Sequence, residues 1–241
     1  MRDDRATRPL VIALPKGRTL RPVAKVLEKA GVTAAMDPTA GAAGAEPRSL
    51  ADALTDESRA LVRRARFADH DVEVLLLKPD DVPTYVEYGT ADLGVCGRDV
   101  LVERDVDVYM PVDLGIGRCR LVVAGRVGED RWAPGGSHGQ MPRVASKFPR
   151  TAAAHFAARG VQVEIVDVQG SVELAPLTGL ADLIVDIVET GSTLAQNGLE
   201  VKEEVATVSS LLVVNRASYK LLGTWLRPLV DAARAASAST G

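Results

Sequence analysis

Short apolar runs alternate with amphipathic segments along this chain, and turns that contain glycine or proline separate them. Leu10 to Leu14 is the first apolar run, and Pro15-Lys16-Gly17 forms the turn after it. The next segment has apolar residues on one face of a helix that Gly31 ends, at Leu20, Val23, Leu27 and Ala30. This alternation predicts an α/β fold built around mostly parallel sheets.

One segment breaks the alternation. Residues 37–57 are rich in Ala, Gly, Pro and Asp and show no apolar period, so we expect a solvated excursion there. Two strands then flank a turn near residues 68–71, and the order of strand, glycine turn and helix repeats through residue 105.

The same cycle starts again at Leu121, which predicts a second lobe. Strands within 200–216 return toward the first lobe. The chain therefore crosses between the two lobes twice, near 113–118 and near 196–204. The predicted bounds are 8–114 and 203–216 for a discontinuous first lobe, 115–202 for the second lobe and 217–237 for a C-terminal helix. Two such lobes predict a cleft, and ligands of open α/β sheets bind outside the carboxyl ends of the strands.

The charge balance excludes a general attraction to nucleic acid or to an anionic membrane, because 29 Lys and Arg face 32 Asp and Glu for a net charge of -3. Cys96 and Cys119 lack the spacing of a zinc site or a disulfide framework, and His70, His138 and His155 are scattered. No secretory leader opens the chain, and no apolar run approaches the roughly 18 residues of a membrane span. We therefore expect a cytoplasmic protein without a His/Cys metal centre.

The stretch DLIVDIVETGSTL, residues 182–194, joins an apolar strand to a turn of small polar residues. Gly191 permits a positive φ, while Thr190, Ser192 and Thr193 add hydroxyls beside the amides that begin the next helix. Such a turn attracts anions and is a candidate phosphate cradle. The alternative is an ordinary N-terminal cap, since Ser and Thr are common capping residues.

Asp186 favours the phosphate interpretation. A carboxylate in a strand that otherwise reads LIVxIV must find hydrogen-bond partners if the strand is covered on both faces. Asp186 precedes the turn by four residues, where it can accept hydrogen bonds from two sugar hydroxyls. A phosphate on the turn and two hydroxyls on the acid together describe a ribose 5-phosphate.

The span from Glu173 to Leu194 resembles the signature of the ATP phosphoribosyltransferase family, which catalyses the first step of histidine biosynthesis. Other stretches are similar to that family in order and spacing: ALPKGRTL near the N-terminus, KPDDVPTYVEYGTADLGVCGRDVL at 78–101, GRCRLVVAG at 117–125, RVASKFPR at 143–150 and LLVVNRASYK at 211–220. The resemblance covers most of residues 9–220, with 37–57 as the main exception.

The resemblance implies that N1 of ATP is joined to C1 of 5-phosphoribosyl 1-pyrophosphate, with inversion at C1 and release of pyrophosphate. It implies that Glu173 and Asp186 hold the ribose hydroxyls and that Arg18 and Arg59 are catalytic, assisting the leaving pyrophosphate. Arg59 follows the irregular segment, so its alignment is the weaker of the two. The 5-phosphate is implied to bind the residues of the turn: Thr190, Gly191, Ser192, Thr193 and Leu194.

Elementary chemistry gives the arginines the same role. Breaking the bond between C1 and oxygen makes the pyrophosphate more negative in the transition state, and guanidinium donors aimed at it stabilise that state. The alternative for each arginine is an ordinary surface charge. Lys16, beside a glycine, fits either a phosphate contact or a solvated position. Mg²⁺ is expected to enter with the phosphates, held mainly by substrate oxygens and water.

Four residues outside this set are not expected to take part in binding. Cys96 and Cys119 are expected to be small core residues, and His155 is expected to pack among the apolar residues of its helix. Phe148 stands where we expect a tyrosine in many members of the family, so a phenol contact there is in doubt.

The resemblance is to the short form of the family, without a C-terminal regulatory domain. It implies a separate regulatory subunit similar to histidyl-tRNA synthetase, and a catalytic homodimer within a hetero-oligomer. Two rivals stay open. One is a non-catalytic binding module, because two α/β lobes around a cleft resemble the type II periplasmic binding proteins. The other is a phosphoribosyltransferase with a different acceptor, because the turn indicates which donor binds and gives no information about the acceptor.

Under this resemblance we expect the purified chain to be active alone and insensitive to histidine. The measurement is the rate of pyrophosphate release from the two substrates, with and without added histidine. Inhibition of the chain by histidine in the absence of any partner protein would contradict the short-form interpretation.

Overall fold

The computed structural model describes residues 8–35, 49–55, 60–129 and 141–239. The chain divides into two compact units. Unit 1 extends to Gly117 and resumes at Ser209, and unit 2 is Arg118–Val208. Unit 1 is therefore formed by two separate stretches of the chain.

The strands of the described residues are numbered along the chain as β1 (Leu10–Pro15), β2 (Val32–Ala34), β3 (Val62–Phe67), β4 (His70–Leu77), β5 (Leu93–Gly97), β6 (Tyr109–Asp113), β7 (Cys119–Arg126), β8 (Arg143–Ser146), β9 (Glu164–Asp167), β10 (Leu183–Val188), β11 (Leu199–Val208) and β12 (Ser210–Val214). The helices are α1 (Leu20–Lys29), α2 (Leu50–Thr55), α3 (Val82–Glu87), α4 (Arg98–Arg104), α5 (Pro149–Ala158), α6 (Leu174–Thr178), α7 (Ser192–Gln196), α8 (Arg216–Leu221) and α9 (Gly223–Ala238).

Unit 1 is built on a sheet whose described strands follow the order β2-β3-β4-β1-β5-β12-β6. Strand β1 pairs in parallel with β4 and β5, while the outer pairs are antiparallel. The prediction of mostly parallel sheets is therefore wrong. A tight turn at Ala68, whose φ is 51°, joins β3 to β4, and so short a connection can only join antiparallel strands.

Helix α1 covers this sheet with the apolar face that the sequence predicted. Its residues Leu20, Val23 and Leu27 are buried, and Gly31 follows the helix with a φ of +95°. That left-handed conformation is common after a helix and costs glycine least.

Helix α2 corrects the prediction of a solvated excursion over 37–57. Leu50, Ala51 and Leu54 are at most 2% exposed and belong to the same core as α1. The backbone amide of Leu50 also donates to the Glu28 carboxylate at 3.0 Å. A helix of six residues is too short to show a helical period in sequence. Residues 37–48 and 56–57 lie outside the described residues.

Asp92, directly before β5, is the most completely partnered buried acid among the described residues of unit 1. Its side chain is 1% exposed and accepts two hydrogen bonds from the Arg8 guanidinium, at 2.8 and 2.6 Å. It also accepts from the backbone amide of Val11 at 2.9 Å and from the hydroxyl of Ser218 at 2.7 Å. One carboxylate thus ties β1, β5 and α8 together.

Unit 2 contains a second sheet, with its described strands in the order β11-β7-β10-β8-β9. Strands β8, β9 and β10 are mutually parallel, and β7 runs antiparallel between β10 and β11. Apolar residues from α6 and α7 pack on one face, and apolar residues from α5 pack on the other. Strand β10 is therefore covered on both faces, as its apolar sequence predicted.

The chain leaves unit 2 later than predicted. Strand β11 follows β7 to the pair Val208 and Cys119, so residues 203–208 belong to unit 2 and not to the first lobe. The second crossing lies at 208–209 instead of 196–204. A strand was expected within this stretch, but β11 is an edge strand with charged residues, and its sequence does not show which unit it pairs with.

Two further elements differ from the sequence interpretation. Strand β6 was not predicted, and the predicted helix 217–237 is two helices that break at Leu222. In the parts of the chain that the structure describes, no helix combines the length and the apolarity needed to span a membrane.

We expect Asp92→Ala to lower the free energy of unfolding by about 3–5 kcal/mol, because it leaves a charged partner and buried donors without an acceptor. Urea denaturation followed by circular dichroism measures the change. Asp71→Ala is the control, because Asp71 is exposed and only weakly paired to Arg66, at 3.5 Å. Equal losses in the two variants would contradict the proposed role of Asp92.

Candidate functional site

The carboxyl ends of β8, β9 and β10 meet at one edge of the sheet of unit 2, because the three strands are parallel and adjacent. Three connections leave this edge: Lys147 and Phe148 lead into α5, residues 168–173 lead into α6, and residues 189–191 lead into α7. Ligands of α/β sheets bind at such edges. Glu173, Asp186 and the turn at 190–194 all belong to this region of unit 2.

Asp186 is half-buried near the end of β10, opposite Val122 of β7. The only hydrogen bond that its carboxylate makes within the described residues comes from the backbone amide of Ile187, at 2.8 Å. Burial raises the pKa of Asp186 above the usual range of an aspartate, and this outweighs the opposing effect of that hydrogen bond. The carboxylate therefore has spare acceptor capacity, which a ligand with hydroxyl donors can use.

Two charged side chains lie close enough to Asp186 to act on its pKa. The negative charge of Glu173 raises that pKa further, and the positive charge of Lys147 lowers it. Glu173 is half-buried and immediately precedes α6. The structure therefore brings Glu173 and Asp186 into one electrostatic environment.

The turn after β10 is exposed. Thr190, Ser192 and Thr193 are accessible to solvent, and Gly191 has a φ of +82° at the start of α7. The hydroxyls of Thr190 and Ser192 lie 3.1 Å apart. Positive φ at Gly191 is what lets the chain turn sharply from the strand into the helix.

The donors of this turn are largely unengaged. Within the described residues, the backbone amides of Thr193 and Leu194 make no hydrogen bond, and the amide of Ser192 makes only a 3.5 Å contact to the Thr190 hydroxyl. No side chain caps the helix. Amides without hydrogen-bond partners, with hydroxyls beside them, form the arrangement that binds phosphate. Leu194 itself is buried and anchors the helix to the core.

Unit 1 holds the other predicted residues that the structure describes. Lys16 and Arg18 are exposed in the turn between β1 and α1, where Gly17 has a φ of +97°. The backbone amide of Lys16 donates to the carbonyl of Leu77 at 2.8 Å, which fixes the turn to the end of β4. Arg59 lies outside the described residues.

The burial of each side chain can be compared with the predictions for residues that were not expected to bind a ligand. Cys96 is 1% exposed in the core, and burial raises the pKa of its thiol, which keeps it protonated. His155 is 8% exposed and stacks edge-on against Phe156. Phe148 is 4% exposed, so its ring is part of the core.

Sequence reasoning missed two residues of this edge, Ser146 and Lys147. The half-buried Lys147 acts on the pKa of Asp186, and the side chain of Ser146 is fully buried at the end of β8. The only signal in the sequence was their position in RVASK, directly at the end of an apolar strand. The carboxyl ends of parallel strands often carry binding residues.

A family model described as ATP phosphoribosyltransferase matches residues 78–233, more than half of the chain. The chain is 54% identical over 235 residues to an ATP phosphoribosyltransferase of Sorangium cellulosum, covering 98% of this chain and 99% of the relative. It is 48% identical over 238 residues to one of Halorhodospira halophila, covering 97% of this chain and 100% of the relative.

Solved structures show the same likeness. An ATP phosphoribosyl transferase (HisG:HisZ) complex from Thermotoga maritima is similar with a TM-score of 0.74 and 31% identity, over 96% of this chain and 99% of that one. The periplasmic aliphatic sulphonate binding protein SsuA from Escherichia coli is similar with a TM-score of 0.55 and 12% identity, over 97% of this chain and 74% of that one. The second likeness concerns the fold alone, and it confirms the predicted resemblance to periplasmic binding proteins.

We expect Asp186→Asn to stabilise the ligand-free chain at neutral pH. Because the pKa of Asp186 is higher in the folded than in the unfolded chain, its ionised form lowers the stability of the fold above that pKa. The gain should shrink as the pH falls through the raised pKa and vanish below the ordinary aspartate value of about 3.9. Urea denaturation across this pH range measures it.

Asp182→Asn is the matched control at the other end of the same strand. Its carboxylate accepts a hydrogen bond from the backbone amide of Arg143 at 2.9 Å, and asparagine keeps only a weaker, uncharged acceptor there, so this variant should lose stability where Asp186→Asn gains it. A loss of stability in Asp186→Asn at neutral pH would show that the carboxylate is better partnered than its surroundings indicate.

Proposed function

The chain belongs to the ATP phosphoribosyltransferase family, and we propose that the edge formed by β8, β9 and β10 is where it binds its phosphoribosyl donor. The family joins N1 of ATP to C1 of 5-phosphoribosyl 1-pyrophosphate and releases pyrophosphate, which is the first step of histidine biosynthesis. A donor of this kind offers two hydroxyls, a 5-phosphate and an anionic leaving group, and each needs its own partners in the protein.

One observation carries the assignment. A half-buried carboxylate with spare acceptor capacity, Asp186, precedes by four residues an exposed turn whose amides are largely without partners among the described residues. The carboxylates of Asp186 and Glu173 accept hydrogen bonds from the ribose hydroxyls. The 5-phosphate accepts hydrogen bonds from the turn, at Thr190, Gly191, Ser192, Thr193 and Leu194. Neutral donors suit this phosphate because it stays bound and unreacted through the transfer.

The reacting end of the donor needs cations instead. As the bond between C1 and oxygen breaks, negative charge grows on the pyrophosphate, and guanidinium groups stabilise it most when the charge is greatest. Arg18 and Arg59 take this role in the proposal, with Lys16 as a further phosphate contact. Arg18 and Lys16 are exposed to solvent in one turn of unit 1, where an anion can reach both.

The acceptor requires no strong base, because N1 of adenine is a neutral aromatic nitrogen with an available lone pair. The contribution of the protein is then largely to orient the two substrates, which is equivalent to an effective concentration of about 10⁵–10⁸ M when the reacting atoms are in line. A catalytic triad is not needed for this reaction.

Magnesium enters this proposal as part of the substrates. Among the described residues, no group of three or more His, Cys, Asp or Glu is placed to hold a metal ion. Mg²⁺ prefers phosphate oxygens and water with few protein ligands. The ion therefore arrives with the phosphates, and no residue of this chain is assigned to it.

We also propose a partner. The similar Thermotoga maritima structure is a complex of two kinds of chain, HisG and HisZ. By analogy, this chain acts as the catalytic subunit, a homodimer within a hetero-oligomer whose other member is a regulatory subunit similar to histidyl-tRNA synthetase. We expect this assembly to work in the cytoplasm, where ATP is supplied.

We expect Asp186→Ala to lower kcat/KM for 5-phosphoribosyl 1-pyrophosphate by about 10²–10⁴-fold, because two hydrogen bonds to a charged group, each contributing about 1.5–3 kcal/mol, are lost. The KM for ATP should change by less than about twofold. Steady-state release of pyrophosphate, with each substrate varied in turn, measures both effects.

Asp182→Ala is the control, since that carboxylate serves the backbone of β8 and has no proposed contact with the donor. Other purine bases and nucleotides in place of ATP test the acceptor. Turnover with another acceptor but not with ATP would assign the chain to a different phosphoribosyl transfer. If Asp186→Ala left the use of the donor unchanged, the proposed site would be wrong.

A further inference from the structure

Ser146, the last residue of β8, has a fully buried side chain that uses both of its hydrogen-bonding capacities. Its hydroxyl donates to the backbone carbonyl of Val185 at 2.7 Å. The same oxygen accepts from the backbone amide of Phe148 at 2.9 Å. Neither bond belongs to the sheet ladder, so the hydroxyl adds two restraints beyond those of strand pairing.

The backbone of Ser146 joins the third strand to this point. Its carbonyl accepts from the amide of Val168 at 3.1 Å, directly after the end of β9. In the register of the sheet, Ser146 lies beside Val185 of β10 and Asp167 of β9. A single residue thus connects the carboxyl ends of β8 and β9 to the middle of β10.

Each of these partners stands next to a residue of the proposed site. Val185 immediately precedes Asp186, and Phe148 immediately follows Lys147. The chain after Val168 leads within five residues to Glu173. The ammonium group of Lys147 lies 6.0 Å from the centre of the Phe148 ring, and this ring is itself fixed in the core.

The restraint matters because β8 and β10 stop pairing at this level. The last pair between them is Ser146 with Val185, so Asp186 has no ladder partner on the β8 side. A buried hydroxyl whose donor and acceptor are both engaged cannot rotate without leaving a buried group unpaired, and that costs free energy. The hydroxyl of Ser146 therefore fixes the backbone at the level where pairing between β8 and β10 ends.

We propose that Ser146 is a positioning residue for the phosphoribosyl donor: its hydroxyl fixes the backbone on both sides of the site, next to Asp186 and next to Lys147. The ligand concerned is a pentose 5-phosphate that carries an anionic leaving group. This inference rests on the proposed function, because it assigns Ser146 a role through residues that bind that donor. Ser146 itself does not contact the ligand.

The experiment compares Ser146→Ala with the unchanged chain in steady-state assays of pyrophosphate release. We expect kcat/KM for the donor to fall by about 10–100-fold, since a displacement of about 1 Å at a site costs up to about 10²-fold. The KM for ATP should stay within about twofold. Ser146→Thr, which keeps the hydroxyl, should restore donor use to within about threefold.

Ser218→Ala is the matched control. Ser218 is also a buried serine whose hydroxyl donates a 2.7 Å hydrogen bond, but it serves Asp92 in unit 1. It should lower the midpoint of urea denaturation without changing the ratio of the two KM values. An equal rise in the KM of both substrates for Ser146→Ala would show a general structural effect and would overturn the positioning role.

Ser146→Cys covers the case in which Ser146→Ala does not fold, because sulfur is similar in size but a weaker donor and acceptor. Calorimetric titration with ribose 5-phosphate should then show about tenfold weaker binding, and unchanged affinity would overturn the proposal. Asp186→Asn in the same titration separates the two claims. If Asp186→Asn weakens binding and the Ser146 variants do not, only the positioning role is wrong; if Asp186→Asn has no effect, the proposed site itself is wrong.

Discussion

Parallel pairing of β8, β9 and β10 is the constraint on which the candidate site depends. Adjacent parallel strands must end at the same edge of the sheet, so connections far apart in sequence are brought together there. Lys147, Glu173 and Asp186 come from three such connections or strand ends. The antiparallel strand β7 lies on the other side of β10, where its residues Leu121 and Val123 contribute apolar packing.

Two acids in this fold show how partnering separates a structural from a functional carboxylate. Asp92 is buried with a guanidinium, an amide and a hydroxyl around it, so its charge is compensated within the chain. The carboxylate of Asp186 is half-buried with one described hydrogen bond, and burial raises its pKa by more than that hydrogen bond lowers it. A chain that keeps such a carboxylate loses some stability in exchange for a binding group, which is the usual relation between stability and activity.

The sequence predicted the parts of this molecule that local periodicity and turn chemistry determine. The α/β order, the helix face of α1, the discontinuous first unit and the exposed turn after β10 all follow from such signals. It could not predict what distant pairing decides: the antiparallel partners of the central strands, the edge strand β6 or the late exit of β11. Helix α2 was missed because six residues carry too little period. Ser146 was missed because nothing in the neighbouring sequence indicates that this serine connects three strands.

The two ends of the proposed donor are recognised by different chemistry, and this decides what the site can discriminate. An ionised carboxylate only accepts hydrogen bonds, so the role proposed for Asp186 requires a ligand that offers hydroxyl donors. A pentose without one of these hydroxyls would leave a half-buried charge without its partner, a cost comparable to losing the hydrogen bond itself. The turn at 190–194 only donates through its amides, and it accepts any phosphate of suitable size. In the proposed site, selectivity for ribose over deoxyribose is therefore assigned to the acid, and affinity for the phosphate is assigned to the turn. The buried hydroxyl of Ser146 bonds to the residue directly before Asp186, so the proposed positioning role concerns the acid and the hydroxyls that it would bind.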